Sequence, residues 1–490
     1  TPLDVDDSNA AQVGSIVRRL EGWPLALELA AAQVPVAGLD WMEAKAWDLS
    51  AVTATHRDRP RRHRTLNDVL EFTWALLHPS ARKAWCQLAF FRGGFSFAAA
   101  GVVLDGPVAA TLEQLRERGV VRRLVGAEVR FDMLETVRVF GRARIEDSTE
   151  VAGRHLAWAR SLYDVLILQP PSDQTNALAA AELANLDLAF ETAQARSDAD
   201  ALAEIALCTT RSAWWSGSLE RTLERLLVAL DANPNRAGLW HQAGYFAGRI
   251  GTLSDACGYL RRAIEVGEAD GEPPAKLALG RTQLACLLAR DDEHDAADEL
   301  FERACRDSPP GSRAELAALS NWGVSLAARG LPQSVEMGER ALVLCRESAD
   351  EQTESIVLHN LARAYLAVGQ DESALDSLGR ALELARRDGS VNEALILCRL
   401  GEAWQESDVQ HAKRFLESAI AVAERTGESR VLVEAHARLA QVCLRLGSRV
   451  EARRALGFAQ SLHAAATAPV RRLVLAVQDQ LRDVVRERQG

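Results

Sequence analysis

The sequence predicts an all-α-dominated chain: a short helical segment, a helical unit closed by a β-hairpin, a helical connector and a long α-solenoid of stacked hairpins. Three observations carry this. Apolar residues recur at three- and four-residue spacing through most segments, the signature of a helix face. One helix–turn–helix pattern repeats along residues 205–465 at steps of 38 to 41. Strand-like patterning with a turn glycine is confined to 120–133, around Gly126.

Residues 8–34 read as helical, with Ser8 as N-cap and Val13, Ile16, Val17 and Leu20 on one face. Gly22 ends one helix, and Pro24 sits where a first-turn proline opens the next. Residues 35–64 read as loop and linker. They end in a basic run from His56 to Arg64, either a solvated strap or a contact to phosphate or an acidic surface.

Residues 65–146 form a unit of their own. Helices are expected at 66–77, from 78–80 to 91, at 96–104 and at 108–118, with a break at Gly93 and Gly94. A hairpin of 120–125 and 127–133 follows, and a last helix runs from about 134 to 145. Helices followed by a β-hairpin spell a winged-helix domain. Residues 147–204 are a helical connector interrupted at Pro170 and Pro171.

The repeats are most legible at 360–385. Leu361, Ala364, Tyr365 and Val368 make one helix face, Gly369 stops it, and Asp371 is placed to cap the next helix. Taking Ala362 as a mark, the same position recurs at Gly244, Ala285, Gly323, Gly401 and Ala440. A turn residue follows each mark by seven: Gly251, Asp292, Gly330, Gly369, Asp408 and Gly447. Small residues then fall at Ala256, Ala297, Val335, Ala374, Ala412 and Ala452, and again at Ala263, Ala304, Ala341, Ala381, Ala419 and Ala459. They let paired helices approach closely, while Leu260, Phe301, Leu378, Leu416 and Leu456 fill the space between. Val335 is the misfit.

This pattern resembles the tetratricopeptide repeat, lengthened to about forty residues. The corner at Gly22 and Pro24 resembles the Gly-x-Pro corner of STAND-type signalling NTPases, the group of AfsR- and MalT-like regulators related to NB-ARC proteins. Residues 62–82, 88–100 and 131–145 resemble the winged-helix segment of the same group. The resemblance implies that Gly22 sets the turn and Pro24 closes over the adenine of bound ATP or ADP, held with Mg in the full-length protein. It also places Met133, Leu134 and Glu135, followed by Arg138, at a phosphate-sensing Met-His-Asp-type triplet, with Leu134 replacing its histidine and Glu135 its aspartate. Read without the resemblance, Glu135 and Arg138 are a local i,i+3 pair. The expected domains are thus 1–60, the end of a nucleotide-binding module; 61–147, winged helix; 148–204, connector; 205–465, repeat superhelix; and 466–490, a capping helix.

The chain's net charge is −11, and residues 1–150 hold 19 Lys and Arg against 20 Asp and Glu, so nearly all the excess is acidic sequence after residue 150. An acidic array is a poor match to a nucleic-acid backbone. No apolar run is long enough to span a membrane. The eight cysteines include no Cys-x-x-Cys pair and read as core thiols in a reducing cytoplasm, with no metal site. No Gly-x-x-x-x-Gly-Lys-Ser/Thr loop, His-Glu-x-x-His helix or serine nucleophile elbow occurs. The chain therefore reads as a non-enzymatic fragment of a longer signalling protein.

Two other readings stand beside this one. The first is a stand-alone repeat scaffold. The second is a DNA-binding winged helix with 108–118 as recognition helix, where Glu113 and Glu117 would repel phosphates beside Arg116 and Arg118. Signal binding is expected on the first helices of the hairpins, which line the concave side of such arrays. The residues expected there are His241, Tyr245, Arg249, Arg290, His359, Arg363, Glu402, Gln405, Gln441 and Arg445, with arginines toward the start and acids and amides toward the end. Arginine and tyrosine are frequent at binding hot spots, so the expected ligand is a protein or peptide activator, with His359 and Arg363 central. Its binding is expected to loosen a winged-helix clamp on the nucleotide module and lead to oligomerisation.

Overall fold

The computed structural model describes residues 9–19, scattered positions between 27 and 43, and 66–486 apart from 125–128, 170–171, 214–217, 348–350, 388–391 and 463–467. Gly22, Pro24 and the basic run lie outside the described residues. The described chain is dominated by α-helix, and its strands total eight residues. It divides into two compact units, Thr1–Phe246 and Ala247–Gly490.

In the first unit, α1 (Ala10–Arg19) is followed by α2 (Leu66–Leu76), α3 (Pro79–Leu88), β1 (Phe95–Ser96), α4 (Phe97–Val103), α5 (Val108–Glu117), β2 (Arg122–Leu124), β3 (Arg130–Asp132) and α6 (Glu135–Arg142). The hairpin is joined by a strand that periodicity did not reveal. Phe95 and Ser96 pair antiparallel with Phe131 and Arg130, so the sheet order is β1-β3-β2. Ser96 then caps α4, its Oγ accepting from Ala99 N at 3.1 Å. The core centres on fully buried Trp85, stacked on Phe140 at 5.1 Å, with its indole N–H donating to Val137 O at 3.0 Å.

The connector is two long helices, α7 (Ser148–Leu166) and α8 (Asp173–Ala195), then α9 (Ala199–Thr210). Helix α8 clamps the sheet. Buried Asn185 receives Arg92 N–H at 2.7 Å and donates to Gly94 O at 2.9 Å. Buried Glu182 pairs with Arg130, and Arg92 forks onto Glu191 with two bonds of 2.8 Å. His155 lies among Phe90, Phe91 and Trp158, with ring centroids 5.1 to 5.4 Å apart. Helices α10 (Leu219–Ala232) and α11 (Ala237–Ile250) follow, and the boundary between the units falls inside α11.

The second unit holds α12 (Leu253–Ala269) and then five hairpins. These are α13 (Pro274–Arg290) with α14 (His294–Asp307), α15 (Arg313–Ala328) with α16 (Gln333–Glu347), α17 (Glu351–Ala367) with α18 (Asp371–Arg387), α19 (Glu393–Ala403) with α20 (Val409–Thr426), and α21 (Ser429–Arg445) with α22 (Arg449–Ser461). Helix α23 (Ala468–Arg486) packs on the last pair. Each first helix packs on its own second helix and on the first helix of the next hairpin. Neighbours therefore bury what one hairpin cannot.

The turn residues explain the stops. Gly251, Asp292, Gly330, Gly369 and Gly447 all take positive φ, the left-handed ending that closes a helix. The sixth turn differs: Asp408 is extended, and its carboxylate caps α20 by accepting from Gln410 N and His411 N at 2.9 and 3.0 Å. Asp371 is not a cap; it lies in the first turn of α18, where its charge suits the helix dipole. The misfit at Val335 also resolves. The buried small residue there is Ser334, seven before Ala341, the spacing found in every other copy. Gly338 stands where the other repeats place Leu or Phe, and Leu361 of the next hairpin fills the gap: a Cβ on Gly338 would lie 2.7 Å from Leu361 Cδ1.

Candidate functional site: the groove of the first helices

Helices α13, α15, α17, α19 and α21 form one wall in the second unit. The face they present curves back on itself. Arg430, in the first turn of α21, feels the charges of Arg249 near the end of α11 and Arg290 at the end of α13. Those positions are several hairpins apart in the chain, so the wall is the inside of a concave groove.

The floor is charged. On α19, Arg399 pairs with Glu402 at 2.6 Å and reaches α21, where it forks onto Glu434 at 2.8 and 3.0 Å. From α21, Arg438 pairs with Glu434 at 3.0 Å and returns to Glu402 at 2.8 Å. Two guanidiniums and two carboxylates thus close a quartet that ties two repeats together. Burial alone would raise the Glu434 carboxyl, but the guanidiniums of Arg399 and Arg438 outweigh it and hold it down to about 2. Glu402 moves in the same direction by the same balance.

One turn apart on α17 stand His359 and Arg363. Only 6% of His359 is exposed, and its Nδ1 has no hydrogen-bond partner. Burial, then the charges of Arg399 and Arg363, push its imidazole well below the usual histidine range, so it is neutral. Arg363 is half-buried and lies within the field of the quartet. Burial and the charge of Arg399 bring its guanidinium down to about 10. No described residue lies within hydrogen-bonding or ion-pairing distance of it; both nearby carboxylates are taken by Arg399 and Arg438.

The other expected groove residues divide. Arg249 and Arg290 are exposed at the groove's other end. Glu402 belongs to the quartet. Gln405 is buried, and its backbone carbonyl accepts from Arg445 Nη1 at 2.7 Å. Arg445 also forks onto Glu406 at 2.6 and 3.0 Å, so it closes an edge between hairpins and is not a reaching donor. Gln441 is half-buried. His241 and Tyr245 belong to the first unit, where the Tyr245 ring meets Phe246 edge-on at 5.6 Å. The expected gradient from arginines to acids is absent, because Arg399, Arg430 and Arg438 lie at its acidic end.

Sequence reasoning missed Arg399, Arg430, Glu434 and Arg438. The signal was there: Arg430, Glu434, Arg438 and Gln441 recur at four- and three-residue spacing, one face of one helix.

In the first unit, Arg138 is buried and engaged. Its Nη1 meets Glu135, and its Nη2 donates to Asp132 and to Met133 O, both at 2.9 Å. That is the local pair, extended by one strand residue, and it leaves neither Nη atom uncommitted. Among the described residues no group of three or more His, Cys, Asp or Glu could hold a metal ion, and no helix is long and apolar enough to cross a membrane. The eight cysteines are unpaired thiols; burial pushes Cys398, beside the quartet, up to about 12.

A tetratricopeptide-repeat family model matches residues 315–387. Over 203 residues the chain is 34% identical to a protein of Mycobacterium tuberculosis named as an HTH-type transcriptional regulator, a match covering 38% of this chain and 22% of that protein. The counterpart in Mycobacterium bovis matches to the same extent. The chain thus spans less than a quarter of the curated relatives it matches. Among solved structures it is similar to the apo form of the quorum sensor NprR from B. thuringiensis, with a TM-score of 0.50 and 14% identity over 67% of this chain and 93% of that one. It is also similar to a Signal Transduction ATPase with Numerous Domains (STAND) from Pyrococcus horikoshii that carries a tetratricopeptide repeat sensor, with a TM-score of 0.43 and 17% identity over 94% and 74% of the two chains. At these identities the likeness to solved structures is one of fold. Residues 315–387 are tetratricopeptide repeats, and the hairpins on either side of them continue the same stack.

Proposed function

We propose that this chain is the sensing and relaying portion of a regulatory protein, and that the groove of the first helices binds a protein or peptide. One observation carries this: the groove floor spends one buried and five half-buried positions on His359, Arg363, Arg399, Glu402, Glu434 and Arg438 where a scaffold needs only packing. Buried charge contributes little to stability and is weak evidence of a structural role. The kinship with proteins named as transcriptional regulators supports a regulatory setting. The helices and three-stranded sheet of 66–142 support a winged-helix reading of that module, with α8 fastening it to the connector.

Among the described residues nothing in the groove assembles a nucleophile with a base, and the role proposed for this chain is binding, without catalysis. For a longer protein carrying a phosphate loop, the Gly22–Pro24 corner supports a switch that holds ATP or ADP with Mg; there Pro24→Ala weakens ADP retention, read as a faster ADP off-rate. The groove is tested by selecting displayed random peptides on the full chain and competing the binders against groove variants. Binders lost on an Arg290→Glu, Arg363→Ala variant but kept on Arg414→Ala, exposed on the second helix α20, support the reading. Binders indifferent to both overturn it.

A further inference from the structure

We propose that the groove recognises an acidic peptide, with an aspartate or glutamate carboxylate of the ligand received by Arg363 at the floor and further acidic side chains held by Arg290 and Arg430 at the rim. The inference deepens the binding role above and rests on it.

The first ground is a charge count that does not close. Around the floor stand three guanidiniums, Arg363, Arg399 and Arg438, and two carboxylates, Glu402 and Glu434. Both carboxylates are spent on Arg399 and Arg438 through contacts of 2.6 to 3.0 Å. Arg363 therefore carries an uncompensated charge in a partly desolvated place. A guanidinium in that position is unfavourable for the fold alone, and a ligand carboxylate would give it the forked pairing it lacks.

The second ground is His359, one turn before Arg363 on the same helix. Its buried Nδ1 has no partner. A neutral imidazole adds no charge to repel a cation or anion, yet it offers a donor to an incoming carboxylate or amide, depending on its tautomer.

The third ground is the rim. Arg290 and Arg430 come from different helices, and Arg430 feels the charges of Arg249 and Arg290, with Glu434 opposing them there. Arg290 and Arg430 are exposed and make no hydrogen bond to a described residue. Among the described residues of floor and rim, Arg290, Arg363, Arg399, Arg430 and Arg438 stand with the carboxylates of Glu402 and Glu434, in a chain whose net charge is −11. A field of that sign, inverted relative to its surroundings, draws in and orients an acidic partner.

The spacing argues for an extended peptide. The cationic points are distributed along α13, α17 and α21, where a phosphate group would be expected to gather several free guanidiniums at one place. At the floor only one is free. An extended chain advances about 3.3 Å per residue, so acidic side chains a few residues apart reach floor and rim together.

The test is fluorescence anisotropy on the full chain with three labelled twelve-residue peptide pools of matched length: one rich in Asp and Glu, one rich in Lys, one neutral. The acidic pool is expected to bind, with affinity falling as salt rises. Arg363→Ala should weaken it about tenfold or more. Arg290→Glu, at an exposed position that does not endanger folding, should do the same, and Arg414→Ala should change nothing. Thermal melts accompany each variant. Arg363→Met should leave the melting midpoint unchanged or higher, because it removes an unpaired charge; a fall would show that Arg363 serves the fold and would overturn the proposal. Preferential binding of the neutral or basic pool, lost on groove substitution, would refute the acidic ligand and leave the groove as a binding site. Binding only of a phosphopeptide version would also refute the carboxylate assignment. No groove-dependent binding of any peptide would defeat both readings.

Discussion

His155 shows how one buried side chain sets a pH limit. Its ring is enclosed by Phe90, Phe91 and Trp158, and burial brings it down to about 4 against the opposing pull of Asn185. The neutral form is the folded form. Its contribution is fully present above the ordinary value of 6.5 and is lost as pH falls from there through about 4. The gap corresponds to roughly 3 kcal/mol across that window. His155→Phe should flatten the decline of the melting midpoint of the first unit between pH 6.5 and 4, and an unchanged slope would rule His155 out as the titrating group. Glycines tell a similar residue-by-residue story. A Cβ on Gly401 would lie 2.5 Å from Leu416 Cγ, whereas one on Gly457 meets nothing within 4 Å. Gly401→Ala should cost about 1–3 kcal/mol in urea unfolding, and Gly457→Ala should be neutral or mildly stabilising. The first of these was legible in the sequence, because Gly401 falls on the repeat mark. The burial of His155 was not, because Phe90 and Phe91, which cover its ring, lie far earlier in the chain.

Elements were legible where their causes are local. Helix periodicity and the left-handed turn residues act within a few residues, and the sequence shows them. Strand β1 failed for the opposite reason: two residues carry no period, and their conformation is set by pairing with Phe131 and Arg130. The Arg399–Glu402–Glu434–Arg438 quartet falls between these cases. Its members are spaced along helix faces, but which cation meets which carboxylate depends on how α19 lies against α21. Removing Arg399 leaves two half-buried carboxylates sharing Arg438. Arg399→Met should destabilise the second unit by about 1–3 kcal/mol, while adding Glu434→Leu should restore most of that, since Arg438 still has Glu402. A cycle showing simple additivity would mean that the four groups do not act together. Acid should weaken the same unit: Glu434 contributes fully above the ordinary carboxylate value of 4.5 and progressively less as pH falls toward about 2.

At the scale of the whole molecule, the repeat stack was the most visible feature, since six copies of one pattern reinforce one another. The binding surface was visible only in part. Position within a repeat indicates which side chains face inward, as it did for His359 and Arg363. It does not show which of them are already satisfied by partners, as Glu402 and Arg445 are. In the first unit, Asn185 and Glu191 fasten α8 to the loop before β1, and Glu182 fastens it to β3. Asn185→Ala should therefore raise amide hydrogen exchange at both Arg92 and the β3 backbone; protection lost at only one of them would show that the clamp does not act as a piece.

Gly338 has a consequence for how such arrays are rearranged. Repeats of similar length look interchangeable, and duplication or deletion of whole hairpins is a natural way to lengthen or shorten them. The hairpin of α15 and α16 breaks that equivalence, because it lacks its own filling side chain and takes Leu361 from the hairpin after it. Its packing is completed by the leucine that the next hairpin brings. Restoring the common pattern with Gly338→Leu should lower the melting midpoint, and trimming the neighbour with Leu361→Ala should recover part of the loss. In a rearranged stack, the hairpin placed after 313–347 should therefore carry a large apolar residue at the place of Leu361.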